Sequence, residues 1–131
     1  MRGILAIAFC VLFIAQPLAW ADNAFIEQAY RQQHSNVQIV GEGRVVKLLA
    51  DDNRGSRHQK FILRLPSGLT LLVAHNIDLA DKIDGLKLGD EVAFSGEYEW
   101  SEKGGTLHWT HHDPAERHAG GWLKHAGRLY Q

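Results

Sequence analysis

A mainly β domain, built as a small five-stranded Greek-key barrel, is the fold this sequence predicts, and three observations carry the expectation. Apolar residues recur at every second position in several stretches beyond residue 36, the period of a strand with one buried face. Clusters of Gly, Asp, Asn, Ser and Pro separate those stretches at short intervals, as turns require. The resulting order is bent strand, strand, strand, short helix, strand, strand, with a helix before it and a hairpin after it.

Residues 1–21 read as a secretory signal peptide: Arg2, then the apolar run from Ile4 to Ala15, then Ala19-Trp20-Ala21, the small-x-small form cleaved by signal peptidase. The mature chain is expected to start at Asp22. Export to the periplasm or the medium follows, and no membrane span is expected after cleavage, because a spanning helix needs about 20 apolar residues. Cys10, the single cysteine, leaves with the leader, so the mature domain has no disulfide and depends on its core. Of the 14 Lys and Arg, Arg2 leaves too, so the 15 Asp and Glu outnumber the bases that remain. That balance argues against general nucleic-acid binding, which rests on a basic excess.

Residues 22–36 form the expected N-terminal helix, with Phe25, Ile26, Ala29 and Tyr30 on one stripe. Residues 37–131 form a single domain with a C-terminal extension. Residues 37–49 are one long strand, expected to bend at Gly41 and Gly43, where side chains are missing. Parity sets the next two strands. The Pro66-Ser67-Gly68 loop places Leu65 opposite Leu69, Leu63 opposite Leu71, Phe61 opposite Val73 and Gln59 opposite His75 on the inner face. His58 falls opposite Asn76 outside. Asp78 is expected to cap a short helix carrying Leu79, Ile83 and Leu86 at i, i+4 and i+7. Residues 91–100 then alternate, with Val92, Phe94, Gly96, Tyr98 and Trp100 inward. A loop over residues 102–105 leads to a last barrel strand, TLHWTHH, stopped by Asp113-Pro114. A small hairpin turning at Ala126-Gly127 closes the chain.

This order, with Gly-Asp-x-Val-x-Phe-x-Gly at residues 89–96, resembles the OB-fold. The phrases RHQKFIL, AHNIDLA, GDEVAFSGEYEW, GGTLHWTHHDP and RHAGGWLKH make the mature chain similar to a family of short exported bacterial proteins defined as a domain of unknown function. Ala126-Gly127 departs from the Asn-Gly expected at the hairpin tip and touches nothing functional. That family resemblance transfers no activity. The OB-fold likeness implies ligand binding by the loop after the first strand and by the outer face of the next two, which nominates Arg57, His58, Lys60 and Arg64. No aromatic side chain joins them there to stack a nucleobase.

Five of the eight histidines lie within residues 108–125. On a strand, His108 and His112 share a face about 13 Å apart at ~3.3 Å per residue, so they cannot chelate one ion by themselves. The expected register places Glu99 opposite His108, Glu97 opposite Thr110 and Ser95 opposite His112 outside, with His111 opposite Gly96 and Trp109 opposite Tyr98 inside. Glu97, Glu99 and His108 are therefore the candidate catalytic set, able to hold a cation or to orient a general base. The candidate metal ligands are His108, His112, His118 and Glu99; His118 and His125 can fold back towards His112 or His58, and if three of these rings converge a divalent ion such as zinc, or copper, is the expected cofactor. Trp100, Trp109 and Trp122 are expected in the core, as are His111 and His75, both as hydrogen-bonded neutral imidazoles.

The function expected from these residues is an exported, monomeric binding module of unknown ligand that holds metal through histidines. A metal-dependent hydrolase of phosphodiesters with a Glu base is the alternative. A structural or stress-related envelope protein is the third reading. Whether the chain is an enzyme stays open; covalent and nucleotide chemistry have little support, since there is no G-x-S-x-G, no thiol nucleophile in the mature chain and no phosphate-cradling glycine loop.

Overall fold

The strand-like apolar periods turn into strands, and the helical period before them into a helix. The computed structural model describes residues 18–131, together with Gly3, residues 6–8, Cys10 and Val11. Its elements are α1 (Leu18–Arg31), β1 (Val37–Leu48), β2 (His58–Arg64), β3 (Thr70–Asn76), β4 (Glu91–Glu99), β5 (Thr106–His108), β6 (Trp122–His125) and β7 (Arg128–Tyr130). Most of the expected leader lies outside the described residues. The helix starts before the expected cleavage point and ends at Arg31, short of residue 36. No helix among the described residues is long and apolar enough to cross a membrane.

Five strands close a barrel in the order β1-β2-β3-β5-β4, with β4 returning to β1. All neighbours are antiparallel except β3 and β5. The inner parity expected from the sequence holds in β2, β3 and β4. Phe61, Leu63, Leu71, Val73, Val92, Phe94, Tyr98 and Leu107 are fully buried, and α1 covers one end of this core with Ile26 and Ala29. Each such side chain contributes about 1.5–3 kcal/mol by leaving water. The core therefore serves a domain with no disulfide among the described residues.

β1 is shared between two partners because it bends. Its residues from Val37 to Arg44 pair with β4, while those from Arg44 to Leu48 pair with β2, and a bulge falls between Val45 and Lys47. Gly41 and Gly43 permit the bend. A Cβ on Gly43 would stand 2.9 Å from the Arg64 carbonyl oxygen, and one on Gly41 would stand 3.0 Å from the Phe94 ring. The β2–β3 register is the expected one, from His58 opposite Asn76 to Arg64 opposite Thr70, with Gly68 at φ 90° in the turn.

The helix expected after β3 does not form. Residues 77–90 are a run of turns. Gly85, inside the expected helix, sits in the left-handed region at φ 66°, and Gly89 turns the chain beyond it at φ 88°. Asp78 binds the Arg57 backbone N–H and guanidinium, at 2.8 Å each, where a cap was expected. Two barrel residues hold this loop. Gln59 accepts from the Ile83 N–H at 2.9 Å and donates to the Ile83 carbonyl at 3.1 Å. His75 Nε2 donates to the Asp81 carbonyl at 2.9 Å, and its Nδ1 accepts from the Thr110 hydroxyl at 2.7 Å. Gln59 and His75 are opposed and buried, as expected, yet each serves the loop and not the other.

The second edge of β4 is split. Val92 to Ser95 pair with β6, while Glu97 to Glu99 pair with β5, so the chain forks at Gly96. A Cβ on Gly96 would stand 2.5 Å from the His108 carbonyl oxygen, which is why this position has no side chain. β5 is shorter than expected and two residues out of the expected register. Glu97 lies opposite His108, Tyr98 opposite Leu107 and Glu99 opposite Thr106. The connecting loop accounts for the shift, since Gly104 (φ 125°) and Gly105 (φ 113°) turn against Thr70 and Tyr98 and lengthen it beyond four residues. Ser95 faces Trp122, not His112. β6 and β7 form the expected hairpin, with Ala126 at φ 48° and Gly127 at φ 80° making a two-residue turn.

Candidate metal centre

The fork at Gly96 assembles a cluster that the expected register did not describe. β4 alternates, so Glu97 and Glu99 face outward beside each other's strand neighbours, and the observed register brings His108 directly opposite Glu97. His108 Nε2 lies 3.0 Å from Glu97 Oε2 and 3.5 Å from Glu99 Oε1. This nitrogen is buried and makes no aligned hydrogen bond to either carboxylate. Glu97, Glu99 and His108 each offer one ligand atom, and the three atoms lie within 4.8 Å of one another. Glu97 is the most enclosed of the three, its side chain 15% exposed.

The other oxygen of Glu97 meets a residue from far along the chain. His118 Nε2 lies 3.1 Å from Glu97 Oε1, and His118 Nδ1 lies 2.7 Å from the Ala119 carbonyl oxygen. A carbonyl can only accept, so Nδ1 carries a hydrogen. A neutral ring would then aim its Nε2 lone pair at a carboxylate oxygen, so the pair must share either a second proton or a cation. The Ala119 carbonyl, and after it the Glu97 carboxylate, hold the His118 imidazole above its ordinary pKa. Trp109 lies flat against the same ring, with centroids 3.9 Å apart and planes 10° apart, a face that suits a cationic imidazole.

Trp109 reaches this position through a backbone that a bulky residue rarely adopts. Its φ is 55°, in the left-handed region, and there β5 ends. Its expected place in the core is therefore wrong, because the turn swings the indole to the outer face, onto His118. Strain of this kind costs about 1–3 kcal/mol and persists where the surroundings impose it.

A family model described as "Protein of unknown function (DUF3465)" matches residues 7–131. The chain belongs to the DUF3465 family. The match runs through the whole barrel, the fork and the C-terminal hairpin of this DUF3465 chain, in agreement with the family likeness of its histidine phrases. A comparison with curated proteins finds no match.

The remaining nominated residues of the DUF3465 chain disperse. His112 is exposed beside Gly120, outside the cluster, because the chain has already turned away from β4. His125 pairs with Asp90 at 2.8 Å, a bond that is the largest cause holding Asp90 below the usual carboxylate range. His111 is buried as expected, with its Nδ1 on the His112 carbonyl at 2.7 Å, but it does not face Gly96. Arg57 is engaged by Asp78. Lys60 borders a hollow with Asp51 and Asp52, and Arg64 borders another with Arg44, so the four residues nominated for ligand binding do not converge. His58 does meet the cluster's neighbourhood. It lines a hollow of about 230 Å³ with Asn76, His108, Trp109 and His111. Sequence reasoning missed the part played by Asp113, read merely as a strand stop. The Asp-Pro-Ala-Glu phrase is a turn signal that could have shown an Asp side chain capping the backbone after it.

Proposed function

We propose that this chain is an exported β-barrel module that binds one divalent transition-metal ion through Glu97, Glu99 and His108, with His118 steadying Glu97 from outside. The observation that carries the reading is the buried His108 Nε2, close to two carboxylate oxygens and hydrogen-bonded to neither. Ligands of a tetrahedral ion at about 2.0–2.2 Å stand about 3.3–3.6 Å apart. The separations of 3.0 and 3.5 Å need little adjustment to reach that. One imidazole and two carboxylates, with no thiolate, suit borderline Zn²⁺ or the harder Mn²⁺. Cu⁺ prefers softer donors, and Ca²⁺ takes six to eight oxygens. His118 matches the outer partner that ligating carboxylates usually have. Export rests on the leader-like residues 1–21.

Elemental analysis and zinc titration of tag-free protein test the reading. One equivalent is expected to bind and to raise the melting temperature, and Glu97→Gln and His108→Ala are expected to abolish both effects. No binding by the unaltered protein would end the proposal.

A second reading, metal-dependent hydrolysis, draws on the hollow that has His108 in its wall. In this reading Glu97 and His108 hold the ion, its open positions take water or substrate, and Glu99, the most exposed of the three, stays unligated as the candidate base. Turnover of bis(p-nitrophenyl) phosphate by zinc- or manganese-loaded protein, lost in His108→Ala, would support it. Metal binding without turnover would leave a binding module.

A further inference from the structure

Resting on the metal reading, we infer that Asp113, whose carboxylate bonds to backbone N–H groups, is the positioning residue that sets His118 against Glu97 and thereby sets the affinity of the site. Asp113 Oδ1 accepts from the Ala115 N–H at 3.0 Å, and Oδ2 accepts from the Arg117 N–H at 3.0 Å and the His118 N–H at 2.9 Å. The Glu116 N–H returns to the Asp113 carbonyl at 3.0 Å, and Glu116 itself sits at φ 53°. These bonds wind the arm of residues 113–118 around one carboxylate. The last of them lies on His118, so the backbone that carries the imidazole is fixed before the side chain reaches Glu97.

The remaining freedom of the arm is removed from two sides. The Gly121 N–H donates to the His111 carbonyl at 2.9 Å and closes the neck of the loop. The ring is held by the Ala119 carbonyl and by Trp109. An arm ordered in advance spares metal binding the entropy of ordering it. Asp113 therefore acts on the metal through His118 and has no contact of its own with the cluster.

The experiment is a double-mutant cycle on zinc affinity, measured by chelator competition with tag-free protein. His118→Ala is expected to weaken zinc binding about 10–100-fold, the usual cost of losing an outer partner. Asp113→Ala is expected to weaken it comparably, and the double variant to bind within about twofold of His118→Ala alone, because the two effects share one route. Asp113→Asn, which keeps an acceptor oxygen, should fall between Asp113→Ala and the unaltered protein; it also serves if the alanine variant fails to fold. An Asp113 variant that binds as tightly as the unaltered protein would overturn the inference. So would an Asp113 effect that persists in full without His118, since that is the signature of a merely structural role. Absence of zinc binding in the unaltered protein would sink the metal reading and this inference together, whereas the two preceding outcomes sink the inference alone.

Discussion

Glu97 on β4 and His118 on the connection between β5 and β6 meet at 3.1 Å across 21 residues of sequence. They meet because β4 changes partner at Gly96. The chain between the two partners has nowhere to go except out over Glu97, and it carries His118 with it.

The two faces of this arrangement separate by substitution. Glu97→Gln and His108→Ala should each lower zinc affinity by more than about 100-fold, a larger loss than removal of an outer partner. His112→Ala and His125→Ala should leave it unchanged, because neither ring reaches the cluster. Calorimetric titration of the four variants checks this, and a comparable loss in His112→Ala would place the ion elsewhere.

Acid should weaken the fold through His75. Burial holds its imidazole below the ordinary value of 6.5; the Asp81 carbonyl opposes this, and His111 and His58 add to it. The unfolded chain therefore takes up a proton near pH 6.5 that the folded chain refuses until lower pH. The stability concerned is present above that pH and is lost as pH falls from there towards the folded pKa. Urea midpoints measured from about pH 7.5 down to about pH 5.5 should fall less steeply in His75→Gln than in the unaltered protein. Parallel profiles would exclude His75 as the source.

The loop between β3 and β4 depends on one amide. Gln59→Ala strands the buried Ile83 N–H and carbonyl together, at about 1–3 kcal/mol for each group left unpaired. Global stability should drop by about 2–6 kcal/mol, and hydrogen exchange should rise first at Ile83. Unchanged protection at that amide would show that the clamp carries no weight.

Two glycines with positive φ should differ sharply on substitution. Gly105, at φ 113°, lies against the Tyr98 ring, whose hydroxyl donates to the Gly104 carbonyl at 2.6 Å and whose pKa burial pushes up to about 12. Gly105→Ala combines backbone strain with a clash in the core and should cost at least about 3 kcal/mol. Gly127, at φ 80°, has open space where a Cβ would go, and Gly127→Ala should cost about 1 kcal/mol. Chemical denaturation of both variants gives the comparison.

Parity made the barrel legible. Strand residues alternate whatever their partner, so the inner faces of β2, β3 and β4 and the register across Pro66-Ser67-Gly68 follow from the sequence. The Ala126-Gly127 hairpin follows in the same way from its turn. Glu97, Glu99, His108 and His118 were all legible as polar residues able to face one another. Their joint geometry was not. It depends on two consecutive glycines that lengthen the β4–β5 loop, and on a tryptophan in a backbone state that propensity disfavours. The helix expected over Leu79, Ile83 and Leu86 failed for a related reason. Its spacing was helical, but Gln59, His75 and Arg57 offer the loop better hydrogen bonds from outside it than a helix would from within.

The neck at His111 and Gly121 has a practical meaning. Both ends of the excursion are stitched beside one strand, so its span is the same whether the loop is long or short, and closing it costs little more as it grows. Residues 112–120 can therefore be regarded as an exchangeable cassette. An engineer could graft a different donor set there and leave the barrel beneath it untouched.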